Sequence, residues 1–237
     1  MQNDDLLSSG AAPRVLLSRG ALLRATEALP VRGARVDLRH DGYGHGALAC
    51  ARILAEAGVR EVVVDDHRQA AALTAEGIGA RSNGAGDVDP AMLFGIPSDA
   101  DPAPATDPVM SLQGRVLSTK VLRAGEAVSY GYTHRASADT RVALVTGGYA
   151  QGILRALGNR VRVQLGQRML PIVGRIAMDV CVIDLEGTDV DAGAPVTYFG
   201  GEGAARTALA GWAGVTGLTA LEMAVVIGRH GRQEWVS

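Results

Sequence analysis

Arg39–Gly46 reads RHDGYGHG, with two histidines, an aspartate, a tyrosine and an arginine set among three glycines. Imidazole and phenol groups move protons, a guanidinium binds anions, and glycines let a strand turn abruptly into a helix. The segment therefore reads as a catalytic or binding loop, with Arg39 at its head and Tyr43 and His45 inside it. His40, Asp41 and His45 lack the spacing of a zinc site, so no metal is assigned to them. FGGEGAA has the look of a phosphate loop without its lysine or its GxGxxG order, and no cofactor is assigned there. Of the 23 basic side chains, one is a lysine, Lys120. Only that side chain can form an imine.

The elements around these residues follow two patterns. In the first, Val15–Leu29 has helical spacing with Ser18 as N-cap, and Ala34–Leu38 is a short strand ahead of the loop. Ala47–Ala57 is a helix ending at Gly58, Glu61–Val64 is a second strand, and His67–Ala75 is a helix stopped by Gly77. Strand, loop, helix, strand, helix is the signature of a parallel α/β sheet. Residues 98–108, SDADPAPATDP, read as a linker. Beyond it come β-branched runs cut by glycine turns: GRVLSTKVL, TRVALVTGGY, NRVRVQLG, LPIVGRIAMDVCVIDL and PVTYFGG. They predict a mostly antiparallel barrel or sandwich, closed by helices at 207–213 and 218–227.

Composition narrows the function. A net charge of −2 gives no basic surface for nucleic acid. No secretory signal and no membrane-length apolar run is present, so the expected location is cytoplasmic. Cys50 and Cys181, far apart in the chain, are expected to be buried free thiols.

At this point the motifs carry a resemblance. YGHG followed by ALACARILAEAGV is similar to the start of the barrel domain of alanine racemases, the fold-type III pyridoxal-phosphate enzymes. PVMSLQGRV, AGEAVSYGYTHRA, GGYAQG, LPIVGRIAMDVCVIDL and VTYFGG resemble their C-terminal β domain, in the family's order. The resemblance implies a truncated TIM-barrel-like α/β arc at residues 1–105 and a C-terminal β-barrel domain at 109–237. A complete (β/α)₈ barrel takes roughly 200–250 residues, so its middle strands are expected to be missing. An open arc would leave an uncovered inner face, to be covered by a second copy or by the chain's own N-terminal helix and linker. Since family members are head-to-tail dimers, a homodimer is expected.

The resemblance also assigns roles. Family members begin this loop with the lysine that holds pyridoxal phosphate as a Schiff base, in a pattern like K-A-N-A-Y-G-H-G. Here Arg39 stands in its place, and a guanidinium forms no comparable imine. Asp89 falls where the family has the arginine facing the cofactor's ring nitrogen, and Gly84 where it has a phosphate-binding serine. Lys120 aligns with a basic residue of no catalytic role. Tyr130 matches the family's second catalytic base. Tyr149, Met178 and Asp179 match its substrate entrance and carboxylate site. Gln151 and His134 depart from the family's aspartate and tyrosine. The expectation is a cofactor-independent acid/base enzyme, of isomerase, lyase or cyclase type and of a kind found in biosynthetic clusters. Tyr130 and Arg39 would be its catalytic pair and a small carboxylate or other anion its substrate. A non-catalytic pseudoenzyme that binds a ligand or dimerises, and a true pyridoxal-phosphate racemase, are the alternatives.

Overall fold

The computed structural model describes residues 12–99 and 101–237. The described residues form two compact units: one comprises 16–110, 219–229 and 233–237, the other 12–15, 111–218 and 230–232. The expected division was contiguous, near residues 105–109. The compact units also break at 110/111, but the last helix falls with the N-terminal residues.

Strand β1 (Arg14–Ser18) precedes helix α1 (Arg19–Ala28). Sequence spacing put one helix over both. Val15 and Leu17 alternate inward with no exposure, a period of two that only a strand satisfies. Ser18 keeps the expected capping role, its hydroxyl accepting from the Ala21 N–H at 3.1 Å. Then follow β2 (Arg35–Asp37), α2 (Ala47–Glu56), β3 (Glu61–Val63), α3 (His67–Ala75), β4 (Ala80–Arg81) and α4 (Pro90–Phe94). β2, β3 and β4 form a parallel sheet in that order, and a parallel bridge joins Val36 to Val88 on the free side of β2. These elements make an α/β unit of three short parallel strands and a bridge.

The stretch expected to be a linker is pinned instead. Thr106 is buried and its hydroxyl donates to the Met92 carbonyl, while the Val109 N–H donates to the Phe94 carbonyl.

The second unit opens with the long strand β5 (Met110–Leu122), followed by the hairpin β6 (Ala127–Val128) and β7 (His134–Arg135). Next come β8 (Thr140–Thr146), β9 (Arg162–Leu165), β10 (Arg168–Pro171), β11 (Val180–Asp184) and β12 (Pro195–Phe199). Antiparallel pairs link β10 to β9, β9 to β12, β12 to β5, β5 to β8 and β8 to β11. An antiparallel bridge between Ile172 and Ile183 brings the end of β10 to β11 and closes the ring. A register shift in β5 between Val116 and Ser118 lets one strand pair with β12 in its first half and β8 in its second. Tyr198 is fully buried in the core, where its hydroxyl donates to the Thr146 carbonyl at 2.8 Å and lies 3.1 Å from the Cys181 sulfur. Helix α5 (Ala208–Thr216) sets Trp212 edge-on against Tyr198 and Phe199. Helix α6 (Ala220–His230) and strand β13 (Arg232–Val236) end the chain, and the sheet order runs on from β5 through β1 to β13. Both cysteines are buried free thiols. Among the described residues, no single helix is long and apolar enough to cross a membrane.

Candidate functional site

The loop after β2 is a turn of left-handed helix. His40, Asp41, Gly42 and Tyr43 have φ between 52° and 61°, a conformation that crowds every β-carbon against the following carbonyl. Glycine supplies one of the four positions at no cost. The other three need support, and two carboxylates supply it. Asp65, just beyond β3, accepts from the His40 and Asp41 N–H groups at 2.7 and 3.0 Å. Asp41 accepts from the Ala47 N–H at 2.8 Å and so caps α2.

Gly44 ends the turn against α6. A β-carbon on Gly44 would run into the Ala224 carbonyl, and one on Gly228 into the Gly44 carbonyl. The Gln233 amide donates to both the Gly44 and the Gly228 oxygens, at 3.1 and 2.9 Å. Two interlocked glycines and one carboxamide thus fix the loop to a helix far along the chain.

Arg39 faces back onto its own strand. Its Nε lies 3.0 and 3.1 Å from the two Asp37 carboxylate oxygens, Nη2 closes a bidentate pair, and its backbone N–H donates to Asp37 at 3.0 Å. Asp37 is buried. Burial alone would raise its pKa, but the bonds from Arg39 and its charge outweigh that and hold the carboxyl below its usual value. Tyr43 lies against the same carboxylate, where burial and the adjacent Asp37 push its phenol up to about 12. A tyrosine so placed stays protonated and is no base near neutral pH.

His45 is fully buried, stacked on Phe94 with ring centroids 4.0 Å apart. Its Nδ1 lies 3.0 and 3.1 Å from the Gly42 and Tyr43 carbonyls, so Nδ1 carries the proton and donates. Nε2 has no partner. Burial lowers its pKa to about 4, leaving a neutral ring that braces the turn from beneath. Nothing of this ring is presented to a ligand.

Asp89 is the N-cap of α4, accepting from Ala91 at 2.8 Å ahead of Pro90. Gly84 lies on an exposed crossover at φ 93°. Lys120 sits exposed on β5, across from Val142.

The remaining expected residues belong to the barrel unit. Tyr130 and Tyr132 are 75% and 69% exposed on a loop where Ser129, Gly131 and Tyr132 all have positive φ. The Ser129 hydroxyl ties that loop to the Arg175 carbonyl. Tyr149 and Met178 are exposed on adjoining loops, joined by the Tyr149 N–H to Ala177 and the Ala150 N–H to Met178. Asp179 accepts from the Gln151 amide at 2.9 Å, and Gln151 accepts from Gly148 at 2.9 Å. Gln151 therefore makes a neutral tie between these loops.

Sequence reasoning missed Asp37, Asp65, Gly228 and Gln233. An acidic residue ending the apolar strand ARVDL was the signal for Asp37, since a carboxylate that deep needs a cation.

The sequence profile of the alanine racemase C-terminal domain matches residues 109–234. An alanine racemase of Mycolicibacterium vanbaalenii is 49% identical over 84 residues, 35% of this chain and 22% of that protein. One of Mycobacterium avium is 41% identical over 127 residues, 53% of this chain and 32% of that protein. The matched part of the chain therefore spans a third or less of the length of these curated relatives. The crystal structure of alanine racemase from D-cycloserine-producing Streptomyces lavendulae superposes with a TM-score of 0.80 at 19% identity, covering 97% of this chain and 98% of that one. A profile match over more than half the chain, on a barrel whose fold the solved racemases share, places the protein: it belongs to the alanine racemase family.

Proposed function

We propose that this chain is a cofactor-independent member of the family that works by docking through its barrel unit onto a racemase-type chain, in the simplest case a second copy of itself. The observation that carries this reading is the closed pair Arg39–Asp37. Pyridoxal phosphate supplies an electron sink once an amine holds it as an imine, and the residues present do not fit that group. The loop offers a guanidinium bound to its own carboxylate, and beyond it stand a helix-capping aspartate at position 89 and a bare glycine at 84. Asp37 also satisfies much of the charge with which Arg39 would bind a substrate anion, which weakens the acid/base reading. What stays available is the surface of Tyr130, Tyr132, Tyr149 and Met178. Tyrosine and methionine are the residue types enriched where proteins meet.

A second reading keeps the acid/base enzyme. The Arg39 side chain is 43% exposed, so its outer edge can still hold a carboxylate, and Tyr130 is exposed to meet a substrate. The third reading, a working racemase, requires an imine on Lys120 or elsewhere.

One preparation tests all three. The docking reading expects colourless protein, no borohydride-reducible adduct after incubation with pyridoxal phosphate, no interconversion of alanine enantiomers, and self-association by sedimentation. A reduced pyridoxyl adduct in active material would establish the racemase and overturn the proposal. Turnover of a carboxylate substrate that Tyr130→Phe abolishes would establish the enzyme instead.

A further inference from the structure

The three-stranded sheet has one apolar and one polar face. Strand alternation puts Val36, Val62 and Ala80 on the first and Arg35, Asp37, Glu61, Val63 and Arg81 on the second, as the registers Arg35↔Glu61, Asp37↔Val63 and Val63↔Arg81 require. The polar face would look into a complete barrel. Between Arg81, at the end of β4, and Val88, beside β2 on the opposite edge, lie six residues, Ser82–Asp87. Crossing three strand spacings takes roughly 14 Å, and seven chain steps reach at most about 25 Å. A parallel crossover through a helix needs about a dozen residues or more. The chain therefore takes a short direct path, and the contacts show on which face.

Arg35 Nη1 donates to the Ala85 carbonyl at 3.1 Å, and a β-carbon on Gly84 would lie 3.7 and 3.8 Å from Arg81 Nη1 and Arg35 Nη1. Glu61 sits between the two guanidiniums, 2.9 Å from Arg35 and 3.2 Å from Arg81. A β-carbon on Gly86 would come 2.8 Å from the Asp37 nitrogen and 3.1 Å from its Cβ. Asp87 then ties off on β2, its N–H donating to the Arg35 carbonyl at 2.7 Å and its carboxylate accepting from the Arg35 N–H at 2.8 Å.

We infer that Ser82–Asp87 is an internal chord. It runs across the polar face that the missing strands would have enclosed, held by the Arg35–Glu61–Arg81 ladder, and it replaces those strands as the cover of that face. The cover is neither a second copy nor the N-terminal helix and linker. The N-terminal unit consequently has no barrel interior to receive a cofactor or strands from another chain, and partners must use other surfaces.

A cross-linking experiment on the full chain tests this. Cysteines at Arg35→Cys and Ala85→Cys, treated with a short flexible bis-thiosulfonate at low protein concentration, should join within one chain. Mixing isotopically labelled and unlabelled protein identifies any link between chains by mass. The native thiols are buried and should stay silent. In parallel, Gly86→Ala should lower the melting midpoint by several degrees, because its β-carbon meets the Asp37 backbone, whereas Ser82→Ala should leave it unchanged. Links formed only between chains, or no link together with a neutral Gly86→Ala, would overturn the inference. Neither outcome depends on whether the protein docks, catalyses or binds pyridoxal phosphate.

Discussion

The charge of Arg39 is spent on Asp37 in a fixed bidentate geometry, and this decides what the loop can do. Placing an amine at position 39 should not by itself give imine chemistry. In Arg39→Lys the buried Asp37 would hold the new amine as its ammonium, so we expect no borohydride-trapped pyridoxyl adduct at position 39 by mass spectrometry. Arg39→Ala leaves Asp37 buried without its cation. It should cost about 1–2 kcal/mol in chemical denaturation, less than a fully buried pair because the outer edge of Arg39 is in water. His45 supplies a pH signature. Its folded pKa is depressed to about 4 against about 6.5 in an unfolded chain, so the unfolded state takes up the extra proton between those values. The stability it contributes is complete above pH ~6.5 and lost as the pH falls toward ~4, a change of about 3 kcal/mol. Asp37, also depressed, loses its contribution only as the pH falls below the ordinary carboxylate range. Urea unfolding of His45→Phe should therefore be nearly flat from pH 6.5 to 4.5, where the parent protein weakens, even though the variant is less stable overall through loss of a donor to Gly42 and Tyr43.

The left-handed turn stands because three elements agree on it: β3 delivers Asp65, α2 accepts the Asp41 cap, and α6 lays Gly228 against Gly44. A turn with three non-glycine residues at positive φ should release strain when a support is removed. We expect Gly228→Ala to speed amide exchange at Gly42–Gly46 by at least tenfold, since its methyl must displace the Gly44 carbonyl. Gln233→Leu, which removes two hydrogen bonds without a clash, should do so less. Unchanged exchange in both variants would mean that α6 does not brace the loop. The repeating elements were legible in the sequence because their signals are local. The α2 and α3 helices, the glycine-cut β runs, the Ser18 cap and the buried thiols all follow from spacing and neighbouring residues. β1 was hidden because RVLLS continues smoothly into a helical pattern. The 98–108 segment looked free because its proline content speaks for an extended chain and not for what it packs against. The support of the loop was invisible for a different reason. Gln233 and Gly44 are 189 residues apart, and no pattern within either segment announces the other.

At the scale of the whole molecule, the two compact units carry different inheritances. The barrel unit keeps a closed ring of strands and the motifs that match the family profile, while the N-terminal unit keeps a loop whose groups are satisfied by one another. A surface of large exposed side chains is costly to maintain in water unless something covers it. Among the described residues seven large hydrophobic side chains are exposed; four of them, Tyr130, Tyr132, Tyr149 and Met178, lie in the barrel unit's loops, and the loop bearing the first two has positive φ at Ser129, Gly131 and Tyr132. A preformed loop loses little conformational freedom on binding, so truncating its two aromatic tips should act on association more than on folding. Tyr130→Ser with Tyr132→Ser is expected to shift self-association toward monomer by at least tenfold in dissociation constant, measured by sedimentation over a concentration series, with the melting midpoint nearly unchanged. Tyr130→Phe, which keeps the ring and removes only the hydroxyl, should associate as the parent does. A parent protein that stays monomeric throughout, and that fails to associate with a full-length racemase as well, would leave these side chains exposed without an occupant and would end the docking proposal.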